Sequence, residues 1–177
     1  MIYIKIEMDV KELSGEFIAV TSDGKEYKCK FEALRSSGFI SNFYKRVASS
    51  LEEKVVLPRV DSNNFEKIIK FYEYYMNKPL PMIHKPLKSN KLSDYVKDKF
   101  TLEFVEMPLK DLCSLLTAAC SLALEALKEL IACTIATKFY GKSYKEIRKD
   151  FGIDPELTET QDRELDRFFE WADELWP

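Results

Sequence analysis

The chain has 177 residues, 46% hydrophobic and 32% charged, with twelve Phe and nine Tyr; so many rings bury enough apolar area to offset ordering entropy, which excludes intrinsic disorder. Its 27 basic and 30 acidic residues leave a net charge of −3, against the basic excess of a general nucleic-acid binder. Cys29, Cys113, Cys120 and Cys133 make no CxxC pair and there is one histidine, so no disulfide, metal or cofactor is expected.

Ile2, Ile4, Ile6 and Met8 alternate with polar residues, which predicts a first strand rather than a secretory leader. Two more strands are predicted, over 17–21 and 27–31, with Asp23-Gly24 as the hairpin turn between them. Phe39, Ile40, Phe43, Tyr44 and Val47 recur at helical spacing, and 54–57, closed by Pro58, reads as a short strand. Asp61 or Ser62 caps the next helix, whose apolar face is Phe65, Ile68, Ile69, Tyr72 and Met76.

Residues 77–99 contain three prolines and six lysines against two aspartates, a local charge of +4. They read as a solvated loop or, alternatively, as a basic docking patch for an acidic partner.

From residue 100 the pattern is helical. Pro108 suits a first helical turn, and 109–122 is apolar nearly all round, which predicts a central buried helix. The run from Leu112 to Leu124 is broken by Ser114, Thr117 and Ser121 and is too short to span a bilayer, so a soluble, intracellular chain is expected. A second helix fits 125–139, with Gly141 stopping it. Ser143–Glu146 and Thr158–Gln161 each have the spacing of a capping box.

Nothing in the chain assembles a catalytic constellation. His84 is the single imidazole and sits in the proline-bounded loop; Cys113 and Cys120, seven apart, are expected to pack as small apolar residues. Neither GxxxxGK[ST] nor GxGxxG occurs. The last helix carries more information. At about 100° per residue, Leu165, Phe168, Phe169, Trp171, Ala172, Leu175 and Trp176 cover an arc of about 160°, wider than an ordinary surface helix buries. From Glu156 to Pro177 the chain has eight Asp or Glu against two Arg. Such a face either packs on the α+β part or meets a partner, since interfaces favour large rings.

Leu115-Leu-Thr-Ala-Ala119, Leu122, Gly141-Lys-Ser-Tyr-Lys-Glu-Ile-Arg-Lys149, Phe151, Ile153, Thr158-Glu159 and Trp171 together resemble the S-phase kinase-associated adaptor family, the linker subunits of SCF-type ubiquitin ligases. Thr21-Ser-Asp-Gly24 and Val56-Leu-Pro58 extend the likeness toward the N-terminus. The resemblance implies an α+β fold, a BTB/POZ-like unit over 1–140 with the basic loop at 77–99, followed by a C-terminal helical extension over 141–177. It implies a non-enzymatic adaptor of the cytoplasm and nucleus that links F-box proteins to a cullin scaffold, with no membrane or nucleic-acid partner. On matching positions Leu112, Ile135, Phe139, Ile147, Phe151, Ile153 and Trp171 line the F-box side, and Cys120 and Ser121 fall on the cullin side.

Three departures from the family pattern matter. Cys120 and Ser121 stand where relatives carry Asn and Tyr, Tyr144 stands where they carry proline, and the lysine-rich segment replaces acidic inserts. The first departure motivates an alternative, an F-box-binding adaptor in a cullin-free assembly. A self-associating BTB/POZ structural protein, down to a weak homodimer, is another, and a thiol enzyme using Cys120 is the remaining one.

Overall fold

A computed structural model describes residues 15–46, 53–152, 158–165 and 167. The strand expected over 2–8 lies outside these residues. Alternation of Phe17, Ala19 and Thr21 with half-exposed neighbours forms β1 (Glu16–Thr21), which pairs antiparallel with β2 (Glu26–Lys30), Phe17 opposite Cys29 and Ala19 opposite Tyr27. Between them Gly24 takes φ +81°, which only a residue without Cβ adopts at little cost, and its N–H donates to the Thr21 carbonyl at 2.9 Å. The Asp23 carboxylate accepts from Thr21 Oγ1 (2.6 Å) and from the Ser62 N–H (3.1 Å). Hydrogen bonds from Ser62 and Thr21 hold its pKa down at about 2.

β3 (Val55–Leu57) runs parallel to β1 and gives the described sheet the order β2-β1-β3. Phe31, expected to end the second strand, instead begins α1 (Phe31–Leu34), because both its own ring and Leu34 must turn into the core. There Phe31, Phe17 and Tyr44 meet edge to face at 5.8–6.2 Å between ring centroids, a favoured aromatic geometry.

α2 (Gly38–Arg46) is entered through Ser37, whose Oγ accepts from the Ile40 N–H and donates to the Leu122 carbonyl at 2.7 Å. α3 (Ser62–Tyr74) has Asp61 as its N-cap and buries Phe65, Ile68, Phe71 and Tyr72. It ends before Met76, which is 41% exposed and leaves the expected apolar face because the helix stops two residues short of it. Asn64 ties the start of α3 to α5 (Leu109–Ser121) through a 2.8 Å bond to Ser114 Oγ.

The lysine-rich segment is more than a solvated loop. Ile83 and Val96 are buried, and Leu80, Leu87, Leu92 and Tyr95 pack half-buried on the core. Tyr95 Oη accepts from the N–H groups of Lys88 and Ser89, both at 2.5 Å, and a short 3₁₀ turn covers Leu92–Asp94. The segment closes at Asp98, the N-cap of α4 (Lys99–Phe104). Its carboxylate receives Thr101 N–H and Oγ1 together with Tyr74 and Tyr75 hydroxyls. Pro108 is the N-cap of α5 rather than a first-turn residue, its ψ of 148° being extended.

α5 and α6 (Glu125–Phe139) form a hairpin through Leu122–Leu124. α5 is not buried all round: Leu112, Leu115, Ala118 and Ala119 face inward, while Thr117 and Cys120 are exposed. The expectation that Cys113 and Cys120 pack as core residues is therefore corrected; Cys113 is half-buried and Cys120 exposed, and Cys29 and Cys133 are the buried thiols.

Two compact units divide the chain, residues 1–140 and 141–177. In the second, α7 (Tyr144–Phe151) opens on a full capping box, Ser143 N–H to Glu146 Oε2 at 2.8 Å with the reciprocal Glu146 N–H to Ser143 Oγ at 3.4 Å. Gly152 ends it at φ +59°. Thr158 and Gln161 make the same reciprocal pair at 3.0 and 3.4 Å, and Lys145 reaches Asp162 at 3.4 Å. The architecture is α+β and BTB/POZ-like, with C-terminal helices. Among the described residues no helix is long and apolar enough to cross a membrane.

Candidate interaction faces

The positions assigned by resemblance to the F-box side separate into three groups. Leu112 is 0% exposed within the core of the first unit, so its side chain secures α5 rather than meeting solvent. An all-round apolar pattern conceals which side of a helix turns inward, and this position is corrected accordingly. Ile135 and Phe139, one turn apart on α6, are half-buried, and Ile135 packs on the core rim. Ile147 and Phe151, also one turn apart, share a face of α7 and are half-buried. Ile153 and Trp171 lie outside the described residues, as do the rings at 168, 169 and 176.

Cys120 and Ser121 are neighbours in sequence, yet they open onto different concavities of the first unit. Ser121 lines a depression of about 240 Å³ with Phe39, Leu57, Pro58, Arg59 and Val60, and its hydroxyl donates to the Ala118 carbonyl. Beside this depression β3 presents Val56, 58% exposed between buried Val55 and Leu57, as the alternation of a strand requires. Cys120 lines a larger groove of about 540 Å³ between α5, α6 and the lysine-rich loop. The groove is lined by Ile83, Leu87, Leu116, Ala132, Cys133 and Ala136. Across it Lys85 bonds Glu129 at 2.8 Å, which holds the Glu129 carboxyl below its ordinary range. Lys128 pairs with Glu125, and that hydrogen bond raises its pKa.

The sequence did not disclose this groove. Ala132 and Ala136, four apart on α6, were its one available signal, and small residues at that spacing usually mark close packing instead. Chemically the groove offers shape and apolar surface. Burial pushes the Cys133 thiol up, away from the thiolate that would react. His84 is exposed in its loop, and among the described residues no group of three His, Cys, Asp or Glu could hold a metal ion.

Residues 125–172, which run through α6 and α7, match the family model described as "Skp1 family, dimerisation domain". Over this stretch the chain is similar to the Skp1 family. It is 28% identical over 144 residues to an S-phase kinase-associated protein 1 homolog of Tetrahymena thermophila, covering 81% of this chain and 85% of that protein. A protein named E3 ubiquitin ligase complex SCF subunit sconC, from Arthroderma benhamiae, is 27% identical over 161 residues, 91% of this chain and 97% of that protein. The protein of the same name from Talaromyces marneffei is 25% identical over 162 residues, 92% of this chain and 99% of that protein. The Skp1-like match thus falls on the helices that carry Ile135, Phe139, Ile147 and Phe151.

Proposed function

We propose that this Skp1-like chain is a non-enzymatic adaptor of an SCF-type ubiquitin ligase. Helices α6 and α7 and the segment after them receive the F-box of a substrate receptor, and the first unit docks on a cullin. The observation that carries the reading is the family match over 125–172, supported by relatives named as SCF subunits that align along nearly their whole length. Ile135, Phe139, Ile147, Phe151, Ile153 and Trp171 are the apolar contacts to the F-box, with Leu112 fixing α5 in the core of the first unit. Such a role needs no catalytic group, because mating apolar helical faces supply both affinity and specificity.

On the scaffold side, Cys120 and Ser121 and the depression by Phe39 and Pro58 form the cullin contact. An F-box-binding adaptor without a cullin is the second reading. It is favoured by the small thiol and hydroxyl at 120 and 121 in place of an amide and a ring. The test is co-purification of the full chain with an F-box domain and with a cullin N-terminal domain. Capture of both supports the ligase adaptor, and capture of the F-box alone selects the cullin-free assembly. Capture of neither, with a concentration-dependent dimer in light scattering, replaces both by self-association. By this reading the chain works in cytoplasm and nucleus, where fractionation would find it beside its receptors.

A further inference from the structure

A further concavity takes no part in the adaptor reading. About 270 Å³ in volume, it lies where the lysine-rich segment, α4 and α6 meet. Its apolar lining is Leu92 from the segment, with Leu102 and Val105 from α4 and its C-cap. α6 contributes Thr134, Thr137 and Lys138, and Glu106 stands just beyond α4. No described position assigned to the F-box or cullin side lines it, and it shares no residue with the groove beside Cys120. Buried Val96 and the Tyr95 hydroxyl, which accepts from the N–H groups of Lys88 and Ser89, hold the segment in place. A wall fixed before any ligand arrives lowers the cost of binding.

The polar groups of this depression are of two kinds. Thr134 and Thr137 are buried, and their hydroxyl protons are committed to the carbonyls of Leu130 and Thr134, both at 2.9 Å. A hydroxyl that has donated keeps its lone pairs, so toward a ligand these two act as acceptors. Glu106 and Lys138 are exposed and line the same depression, yet among the described residues neither forms an ion pair, with the other or with a third group. Opposite charges thus stand in one small concavity, too far apart to pair directly. An anion alone would leave Glu106 opposed, and a cation alone Lys138; a molecule that carries both charges satisfies each. The volume falls just below the roughly 300–1,000 Å³ of drug-sized sites, which points to a small metabolite. Leu92, Leu102 and Val105 call for an aliphatic part on it.

We propose that this depression binds a free aliphatic α-amino acid. Its ammonium faces Glu106 with a threonine oxygen accepting from it, its carboxylate faces Lys138, and its side chain lies on Leu92, Leu102 and Val105. Because both charged groups of the protein are exposed, water screens each pair and the affinity is modest, a Kd of about 1 mM or somewhat below. The ligand joins the lysine-rich segment to α4 and α6, so binding raises the melting temperature as its concentration rises. The site does not rest on the adaptor reading.

The test is calorimetry on the full chain with L-leucine and two molecules that each lack one of its charges, 3-methylbutylamine without the carboxylate and 4-methylpentanoate without the ammonium. Leucine should bind at least about tenfold more tightly than either, and glycine, which has no side chain to bury, should fall behind leucine by a similar factor. Glu106→Gln and Lys138→Gln each remove one charge at an exposed position, with circular dichroism confirming the fold. Each should weaken leucine by at least about fivefold and abolish most of its advantage over the singly charged molecule that keeps the other charge. Absence of saturable binding up to about 10 mM leucine overturns the proposal. Equal binding of leucine and its two singly charged analogues overturns it as well, in favour of a purely apolar depression. So does leucine binding that both variants leave unchanged, since the ligand would then sit elsewhere.

Discussion

Gly38 and Ala123 lie so close that a Cβ on Gly38 would stand 3.0 Å from the Ala123 Cβ. Ala123 itself is held at φ +50°, a left-handed conformation that costs an ordinary L-residue about 1–2 kcal/mol. The reason is hydrogen bonding. The carbonyls of Leu122 and Ala123 turn toward the start of α2 and accept from the Phe39 and Gly38 N–H groups, both at 3.3 Å. The α5–α6 turn is thereby the cap of α2, joining the helices that carry the candidate faces to the sheet end of the same unit.

Gly38→Ala should destabilise the protein by about 1–3 kcal/mol in urea titration, since an added methyl in a closed contact must push the backbone apart. Ala123→Gly should stabilise it by up to about 1 kcal/mol, because glycine occupies φ +50° without a Cβ clash. The double variant should recover part of the Gly38→Ala loss, a positive coupling read from the double-mutant cycle. Simple additivity would show that the two sites do not share this contact.

Asp23 links the hairpin to the start of α3, and its depressed pKa gives a signed expectation. The folded state holds the carboxylate more tightly than the unfolded chain does, from about 3.8 down to about 2. The stabilisation is therefore complete above the unfolded value and is lost as pH falls through that window. Melting temperatures of the wild type and Asp23→Ala should differ at pH 5 and converge toward pH 2. A gap that is constant across that range would assign the effect of the variant to packing alone.

Asp98 gathers Tyr74, Tyr75 and Thr101 at the junction of α3, the lysine-rich segment and α4. Burial opposes its ionisation, but the hydrogen bonds from Thr101 and Tyr74 outweigh it and lower the pKa. Asp98→Ala removes the α4 cap and strips those donors of their acceptor, so a loss of about 1–3 kcal/mol is expected in thermal or urea unfolding. Lys97→Ala next to it, exposed and bonded to the Ser93 carbonyl, is the control and should change little.

Phe151→Ala and Trp171→Ala should each weaken capture of an F-box domain by about 2 kcal/mol in calorimetry, with the far-ultraviolet dichroism unchanged. Unaltered affinity in both would remove these residues from the receptor face.

Cys120→Asn combined with Ser121→Tyr introduces the amide and ring that the family resemblance implies at these positions. If the first unit docks on a cullin, affinity for a cullin N-terminal domain should rise by about tenfold, roughly 1.4 kcal/mol. No gain would direct the scaffold contact elsewhere, toward the depression lined by Phe39 and Arg59.

Much of this molecule is written locally. Asp23-Gly24 specifies the turn, Asp61 the entry to α3, and Ser143 with Glu146 the start of α7, because each satisfies backbone groups within a few residues of itself. Ile147 and Phe151 were singled out through a family pattern confined to one short stretch of chain, and the structure places both half-buried on α7. What only the tertiary structure decided is non-local. Apolar residues surround α5, so nothing in its own sequence says that Leu112 faces the core while Cys120 faces solvent; packing against α3 and α6 makes that choice. Proline and lysine content made 77–99 read as a solvated loop, whereas Ile83 and Val96 find burial in the same core as residues distant in the chain. Gly38 and Ala123 are 85 positions apart, and their contact exists only once the hairpin of α5 and α6 has folded back over α2. Capping and turn preferences are settled over three or four residues, but a groove or a close approach depends on which distant surfaces bury each other, and that competition is resolved by the whole fold.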